Sequence, residues 1–231
     1  MRSTVRFILS GQIEEVRDCR PTDTVLDYLR ERKRLTGTKE GCAEGDCGAC
    51  TVVVAEAKDG RMNYRAMNAC ILFLPALDGK QLITVEDLQS ADGALHPVQQ
   101  AMVEQHGSQC GFCTPGFVMS LFAMYHDPGS VPPSRTDIDT GLAGNLCRCT
   151  GYVPIVKAAQ QALDTASPDH FTNTEAEAVA QLATLESGEM LALEQGGQRY
   201  FAPTGLGQLC GVLNDHPGAT MVAGATDVGL W

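Results

Sequence analysis

The sequence is poor in basic side chains and contains no long apolar run. Its 17 Lys and Arg stand against 28 Asp and Glu, a formal net charge of −11 that argues against nucleic acid and anionic membrane surfaces as main partners. No stretch approaches the roughly 18 consecutive apolar residues of a membrane span. The N-terminus also lacks the apolar region and small-residue cleavage site of a signal peptide, so we expect a cytoplasmic protein.

Histidine is scarce, and the chain has no internal repeat and no low-complexity tract. None of the 5 histidines is paired with cysteines as a Rieske centre would require, so we interpret them as structural or surface groups. Hydrophobic residues make up 44% of the chain and charged residues 19%, which is typical of a globular protein. A chain of this length and composition can therefore form a stable hydrophobic core without disulfide bonds.

Cysteine, in contrast, is abundant, with 10 residues in 231. In the reducing cytosol, clustered cysteines are more often metal ligands than disulfides. Cys19 and Cys210 stand alone, and we expect both to be ordinary buried thiols. The other cysteines form two groups, Cys42, Cys47, Cys50 and Cys70 in the first, and Cys110, Cys113, Cys147 and Cys149 in the second.

The first group has the spacing of a plant-type [2Fe–2S] site, with three thiolates from one loop and a fourth from a distant element. The loop contains Gly41, Gly45 and Gly48, which allow the backbone to wrap closely round an inorganic core and expose N–H groups to its sulfurs. Zinc or unliganded buried thiols are the alternatives.

The second group offers four thiolates in two close pairs. Its pairs are further apart than in a zinc ribbon, and the second pair is C-x-C, so the spacing favours iron–sulfur while leaving zinc open. Arg148, between the last two cysteines, either offsets the charge of a four-thiolate cluster or is simply solvated.

Hydrophobic periodicity predicts an α+β fold. Residues 1–85 form a unit of strands, one helix and the first cysteine loop, and residues 86–165 form four helices with the second group at their ends. Residues 166–198 are a linker with one short helix, and residues 199–231 open a further, incomplete domain. In that last segment we expect a strand at 220–223 and a glycine-containing loop, which either cradles phosphate oxygens or is a plain β-turn.

Three motifs together carry a resemblance to a known family. They are Glu40–Val52 around the first cysteines, Gln109–Gly116 and Gly144–Tyr152. The sequence resembles the iron–sulfur portion of the molybdenum hydroxylases, the xanthine dehydrogenase and aldehyde oxidase family. The resemblance implies an N-terminal β-grasp, plant-type ferredoxin-like domain, an all-α four-helix [2Fe–2S] domain and the start of an α+β FAD-binding domain.

The resemblance also implies cofactor contacts outside the cysteines. Gln109 matches a family glutamine that contacts the pterin of the molybdenum cofactor. Family members often carry asparagine where this chain has Ala225, so the contacts expected from the first FAD loop are mainly those of its backbone. The residues of that loop are Met221, Val222, Ala223, Gly224, Ala225, Thr226, Asp227 and Val228.

The function implied by the resemblance is electron transfer in a complex, with no catalytic residue in this chain. Hydroxylation of xanthine and hypoxanthine to urate would occur at molybdenum in a large partner subunit, in a heterotetramer of two small and two large subunits. Electrons would pass through the helical-domain cluster, the ferredoxin-like cluster and FAD to NAD. A related aldehyde or N-heterocycle dehydrogenase is the alternative, and a zinc-stabilised binding module is the alternative of a different class.

Overall fold

The computed structural model describes residues 1–126, 132–164, 167–224 and 227–231. The chain forms a five-stranded sheet, then a helical unit, and then a two-stranded hairpin followed by a helix. The strands are β1 (Val5–Leu9), β2 (Gln12–Val16), β3 (Thr51–Lys58), β4 (Arg61–Asn68), β5 (Gln81–Ile83), β6 (Leu191–Gln195) and β7 (Gln198–Ala202). The helices are α1 (Val25–Asp27), α2 (Pro97–Glu104), α3 (Thr114–Tyr125), α4 (Arg135–Gly141), α5 (Val153–Asp164), α6 (His170–Asn173), α7 (Glu175–Ala183) and α8 (Leu206–Asp215).

The five-stranded sheet has the order β2-β1-β5-β3-β4, with β1 and β5 parallel and the other neighbours antiparallel. Ser10-Gly11 and Asp59-Gly60 are turn-forming pairs in the sequence, and the β1–β2 and β3–β4 hairpins turn there, with positive φ at all four residues. Thr24 caps α1, which continues as a π-helical turn over Tyr28–Arg32. The predicted α+β, ferredoxin-like character of this region is confirmed.

The three inner strands of the sheet, β1, β5 and β3, bury apolar side chains on both faces. Successive side chains of a strand point to opposite sides, so neighbouring residues enter different cores. Val52 and Val54 of β3 pack into a core with α1 and the inner face of β1. Val53 and Ala55 belong to a second core, which is shared with the helical unit. The helices therefore use the sheet itself as one wall of their core, and the two units pack together without a solvent gap.

The helical unit contains the four predicted helices α2 to α5. The apolar α3 lies at its centre, with Phe117 and Phe122 fully buried. The sequence pattern predicts the third of these helices over 134–146. α4 is shorter, because it ends at Gly141 and glycine is a poor helix former. The chain from there to Tyr152 is an irregular loop, and this loop carries the second pair of cysteines of the second group.

The predicted linker contains more structure than expected. α7 confirms the short helix, but α6 and β6 also form within 166–198. β6 pairs with β7 and with the N-terminus, where the Arg2 N–H donates to Met190 O at 3.1 Å and the Ala192 N–H donates to Arg2 O at 2.8 Å. Leu191 and Leu193 are buried in the core of the first unit. The boundaries given above stay predictions.

The last segment departs from expectation at two points. The expected strand at 220–223 is wrong: this stretch is irregular, and no described strand lies beside it to complete its hydrogen bonds. Cys210 is exposed on α8, which buries no residue in the described chain, so the expectation of a buried thiol is wrong there. Cys19 is buried as expected, and burial raises its pKa to about 12.

Among the described residues, no helix has the length and apolarity to cross a membrane.

Candidate metal centres

The first cysteine group is assembled by the β3–β4 hairpin and the loop that precedes it. Cys50 lies just before β3 and Cys70 just after β4, and the antiparallel register pairs Thr51 with Asn68. The two cysteines therefore meet, with their Sγ atoms 3.3 Å apart. Both are buried.

Cys42 and Cys47 form the other half of this site, in a loop whose backbone turns toward its own sulfurs. The N–H groups of Glu44 and Cys47 each donate to Cys42 Sγ at 3.4 Å, and the Cys42 N–H donates to Cys47 Sγ at 3.4 Å. Burial works to raise the pKa of Cys42, but these donors outweigh it and lower the pKa. The loop therefore favours the thiolate, which is the form that binds a metal.

The loop geometry depends on residues that accept unusual backbone angles. Ala43, Gly45 and Gly48 have φ of 58°, 84° and 69°. Of these, Gly48 is the most constrained, because a Cβ there would collide with the Gly144 carbonyl as well. The Asn68 amide donates to Gly45 O and fixes the loop against the end of β4.

The second group lies where the N-terminus of α3 faces the loop between α4 and α5. The Sγ atoms of Cys110 and Cys149 are 3.5 Å apart. Burial, followed by the neighbouring Cys147 thiol, raises the pKa of Cys113 to about 12. Cys110 and Cys149 are exposed, whereas Cys147 is buried. The eight cysteines predicted as ligands are thus brought together in the two expected groups of four.

The arrangement of sulfurs suits a binuclear cluster better than zinc. A tetrahedral zinc ion with Zn–S bonds of about 2.3 Å requires all four sulfurs to lie roughly 3.8 Å apart. No three cysteine sulfurs of the described chain lie within 4.8 Å of one another. Each group instead contains one pair of sulfurs within 3.5 Å, Cys50 with Cys70 and Cys110 with Cys149, as expected where two thiolates share one of two metal ions. The residues present therefore fit [2Fe–2S] clusters.

Two further residues act on the second group, and their role was not predicted. The Cys147 N–H donates to Tyr152 Oη at 3.0 Å, and Thr150 Oγ1 lies 3.2 Å from Cys147 Sγ. Tyr152 itself has a φ of 67°, following Gly151 at 66°, so the loop doubles back on its own cysteine. Both residues belong to the third motif, but side-chain hydrogen bonds of this kind have no signature in spacing.

The remaining predicted residues lie at the surface or outside the described chain. Gln109 is exposed beside Cys110, and Arg148 is exposed between its cysteines. Ala225 and Thr226 lie outside the described residues. The rest of the expected flavin loop is exposed or half-buried, and Val228 begins a short 3₁₀ turn; these residues are Met221, Val222, Ala223, Gly224, Asp227 and Val228.

Two histidines interpreted as structural meet at a buried carboxylate. The Nε2 atoms of His96 and His126 lie 2.7 Å and 3.0 Å from Asp169 Oδ2. His96 Nδ1 accepts the Val98 N–H, so its Nε2 carries the proton and donates to Asp169. The His96 imidazole therefore has no free lone pair for a metal, and the structural interpretation fits this group.

Fold and sites together define a protein with two iron–sulfur domains, and comparisons with known proteins agree. The model of a 2Fe-2S iron-sulfur cluster binding domain matches residues 7–74, and that of a [2Fe-2S] binding domain matches residues 84–160. The sequence is 50% identical to xanthine dehydrogenase of Blastobotrys adeninivorans over 66% of this chain and 11% of the relative. It is 36% identical to xanthine dehydrogenase of Drosophila pseudoobscura pseudoobscura over 99% of this chain and 20% of the relative.

Solved structures give the same family. Quinoline 2-oxidoreductase from Pseudomonas putida 86 matches with a TM-score of 0.57 and 32% identity, over 77% of this chain and 96% of that one. Aldehyde oxidoreductase from Desulfovibrio desulfuricans ATCC 27774 matches with a TM-score of 0.60 and 36% identity, over 70% of this chain and 17% of that one. The chain belongs to the molybdenum hydroxylase family. It spans 11% to 20% of the length of the two xanthine dehydrogenases named above.

Proposed function

We propose that this chain is the electron-transfer subunit of a molybdenum-dependent xanthine dehydrogenase. The observation that carries the proposal is the presence of two four-cysteine sites, each with a pair of sulfurs within 3.5 Å, in two domains that share one core. Clusters of the [2Fe–2S] type, bound at these sites, would supply one-electron steps between two-electron centres. The chain's own residues hold the thiolates, donate hydrogen bonds to them and bury three of them, those of Cys50, Cys70 and Cys147.

A partner subunit with the molybdenum cofactor is part of this proposal. The rim of the second site is unusually apolar for a surface, with Phe112 49% exposed, Leu146 55% and Val153 62%. Exposed apolar residues gathered round a functional group are typical of an interaction surface. Gln109 lies on the same rim, where it would be available to contact the pterin. We propose a heterotetramer of two such chains with two large subunits.

FAD and NAD complete the proposed route on the side of the first site. Gly229, which directly follows the expected flavin loop, packs against Ile71, the residue after Cys70. The two backbones are so close that a Cβ on Gly229 would collide with the Ile71 carbonyl. This close approach supports FAD bound by 221–228 as the acceptor from the first site, with NAD as the final acceptor. Dehydrogenases for aldehydes or other N-heterocycles remain the second candidate, because relatives of both kinds share this fold.

Electron paramagnetic resonance tests the proposed function. The full chain, purified with its iron and reduced with dithionite, is expected to give two distinct [2Fe–2S] signals. Cys149→Ala should abolish one of them, while Cys210→Ala, which changes an exposed cysteine outside both groups, should retain both. A single signal from the unaltered chain, or zinc without iron and acid-labile sulfide, contradicts the proposal. Turnover of the assembled complex with xanthine, aldehydes and N-heterocycles then decides the substrate class.

A further inference from the structure

A buried asparagine lies at the junction of the two cysteine loops. Asn145 is 4% exposed, and its Nδ2 donates to Gly48 O at 3.0 Å and to Thr51 Oγ1 at 3.1 Å. Its Oδ1 accepts the Ser120 hydroxyl at 2.6 Å. One side chain therefore joins the loop of the first site, the start of β3 and the middle of α3.

The residue after this asparagine makes a direct backbone connection between the sites. The Leu146 N–H donates to Cys47 O at 3.0 Å. Cys47 belongs to the first group, and Leu146 is covalently followed by Cys147 of the second. A continuous path thus runs from Cys47 Sγ through its carbonyl, across this hydrogen bond and along the backbone to Cys147 Sγ.

The junction is closed too tightly for side chains to separate the two backbones. A Cβ on Gly116 of α3 would collide with the Gly48 carbonyl, and a Cβ on Gly48 would collide with the Gly144 carbonyl. The carbonyl of Gly48 is also fixed by the Thr51 hydroxyl, which donates to it at 2.7 Å. The positions of Cys47 and Leu146 are consequently set by contacts on both sides of the hydrogen bond.

We propose that Asn145 is the positioning residue that holds the Leu146–Cys47 hydrogen bond, and that this bond is the route of electron transfer between the two sites. The inference rests on the proposed function of two one-electron centres. With [2Fe–2S] clusters bound at both sites, each transfer would move a single electron from the site of the helical domain to the site of the ferredoxin-like domain. The donor site would be oxidised as the acceptor site is reduced, with no bond broken and no proton moved.

The test compares Asn145→Asp with Gln181→Glu in the full chain. Aspartate keeps the shape of Asn145 but replaces its donors with an acceptor that faces the Gly48 carbonyl. Gln181 is the matched control, since its amide also donates to a loop carbonyl, that of Gly11 at 3.3 Å, but outside both cysteine groups. Hydrogen–deuterium exchange of the segment with Leu146 should be about tenfold faster in N145D and unchanged in Q181E, as expected for loss of one protected hydrogen bond.

The second readout is magnetic and reports on electronic contact rather than on structure alone. When both clusters are reduced, the splitting of their paramagnetic resonance signals should shrink in N145D while both signals persist, and should be retained in Q181E. Unchanged exchange and unchanged splitting in N145D overturn the inference. If N145D does not fold, Ser120→Ala replaces it, because this change removes only the hydroxyl that donates to Asn145 Oδ1. Ser120→Ala should shift the exchange rate and the signal splitting in the same direction as N145D, but by less. No shift in either measurement overturns the inference. Absence of two signals in the unaltered chain would instead contradict the proposed function, while the exchange data still test Asn145.

Discussion

A single hydroxyl group in the second site has two partners that fix its direction. Thr150 Oγ1 accepts the Tyr152 N–H at 3.2 Å and lies 3.2 Å from Cys147 Sγ. When Cys147 is a thiolate it has no proton to give, so the Thr150 hydroxyl is the donor. Hydrogen bonds to the sulfurs of an iron–sulfur cluster are among the factors that set its reduction potential.

Thr150→Val is therefore expected to make the reduction potential of the second cluster more negative. The valine keeps the branched shape and removes the donor that stabilises the more negatively charged, reduced state. A redox titration followed by paramagnetic resonance measures both clusters in one experiment, and the first should be unaffected. Thr150→Ser, which retains the hydroxyl, serves as the control. Equal potentials in the valine variant and the unaltered chain would show that this hydroxyl does not act on the cluster.

Three helix ends are held together by one carboxylate. His96 is the N-cap of α2, His126 is the C-cap of α3 and Asp169 is the N-cap of α6. Asp169 Oδ2 accepts from both imidazoles, and its Oδ1 accepts from the backbone and hydroxyl of Thr172. Burial works to raise the pKa of Asp169, but the hydrogen bonds from His126 and His96 outweigh it and hold the pKa well below its usual range.

Asp169→Asn should lower the free energy of unfolding by about 1–3 kcal/mol at pH 7, because all the partners of the carboxylate are donors and an amide must face one of them with its own N–H. Since the folded-state pKa is lowered, the contribution of the charge is complete above the unfolded-state value of about 3.9 and declines as the pH falls below it. Urea unfolding of both proteins from pH 7 to pH 3 measures this. If the two proteins already have equal free energies of unfolding at pH 6, a titratable group other than Asp169 causes the difference.

The elements differ in how far the sequence predicts them. Alternating residues such as those of β1 and the turn at Asp59-Gly60 encode their structure locally, and the spacing of the cysteines predicts the two groups. α4 ends early at Gly141. β6 forms from a stretch expected to be linker, because pairing with Arg2 brings together residues far apart in the chain. The role of Asn145 could not be predicted for the same reason, since its three side-chain partners come from other segments.

At the scale of the whole molecule, the two domains share a side-chain core and also meet through backbone atoms at the cysteine loops. Gly116 and Gly48 allow α3 and the first cysteine loop to touch, and the Leu146–Cys47 hydrogen bond crosses the contact. Gly144 lies at the same junction through its carbonyl but has open space where its Cβ would be. The two kinds of glycine give a matched pair for testing how closely the domains must approach.

Gly116→Ala is expected to lower the free energy of unfolding by about 1–3 kcal/mol, because the added methyl group forces the backbones apart. Gly144→Ala should stay within about 0.5 kcal/mol of the unaltered chain. Urea unfolding followed by circular dichroism measures both. Equal stability of the two variants would mean that the junction yields to an added methyl group.

The sheet with two apolar faces restricts how this protein can be recombined with its relatives. Val52 and Val53, which are adjacent in β3, belong to different cores. The face of the sheet that contains Val53 is therefore also one wall of the helical domain's core. A helical domain transplanted from another member of the family must match the side-chain volumes of that face, because a close-packed interior is destabilised by a change of even a single methylene. Chimeras therefore require β3, β5 and the helices to be exchanged as one block, and a crossover placed between the two domains would divide a single packing unit.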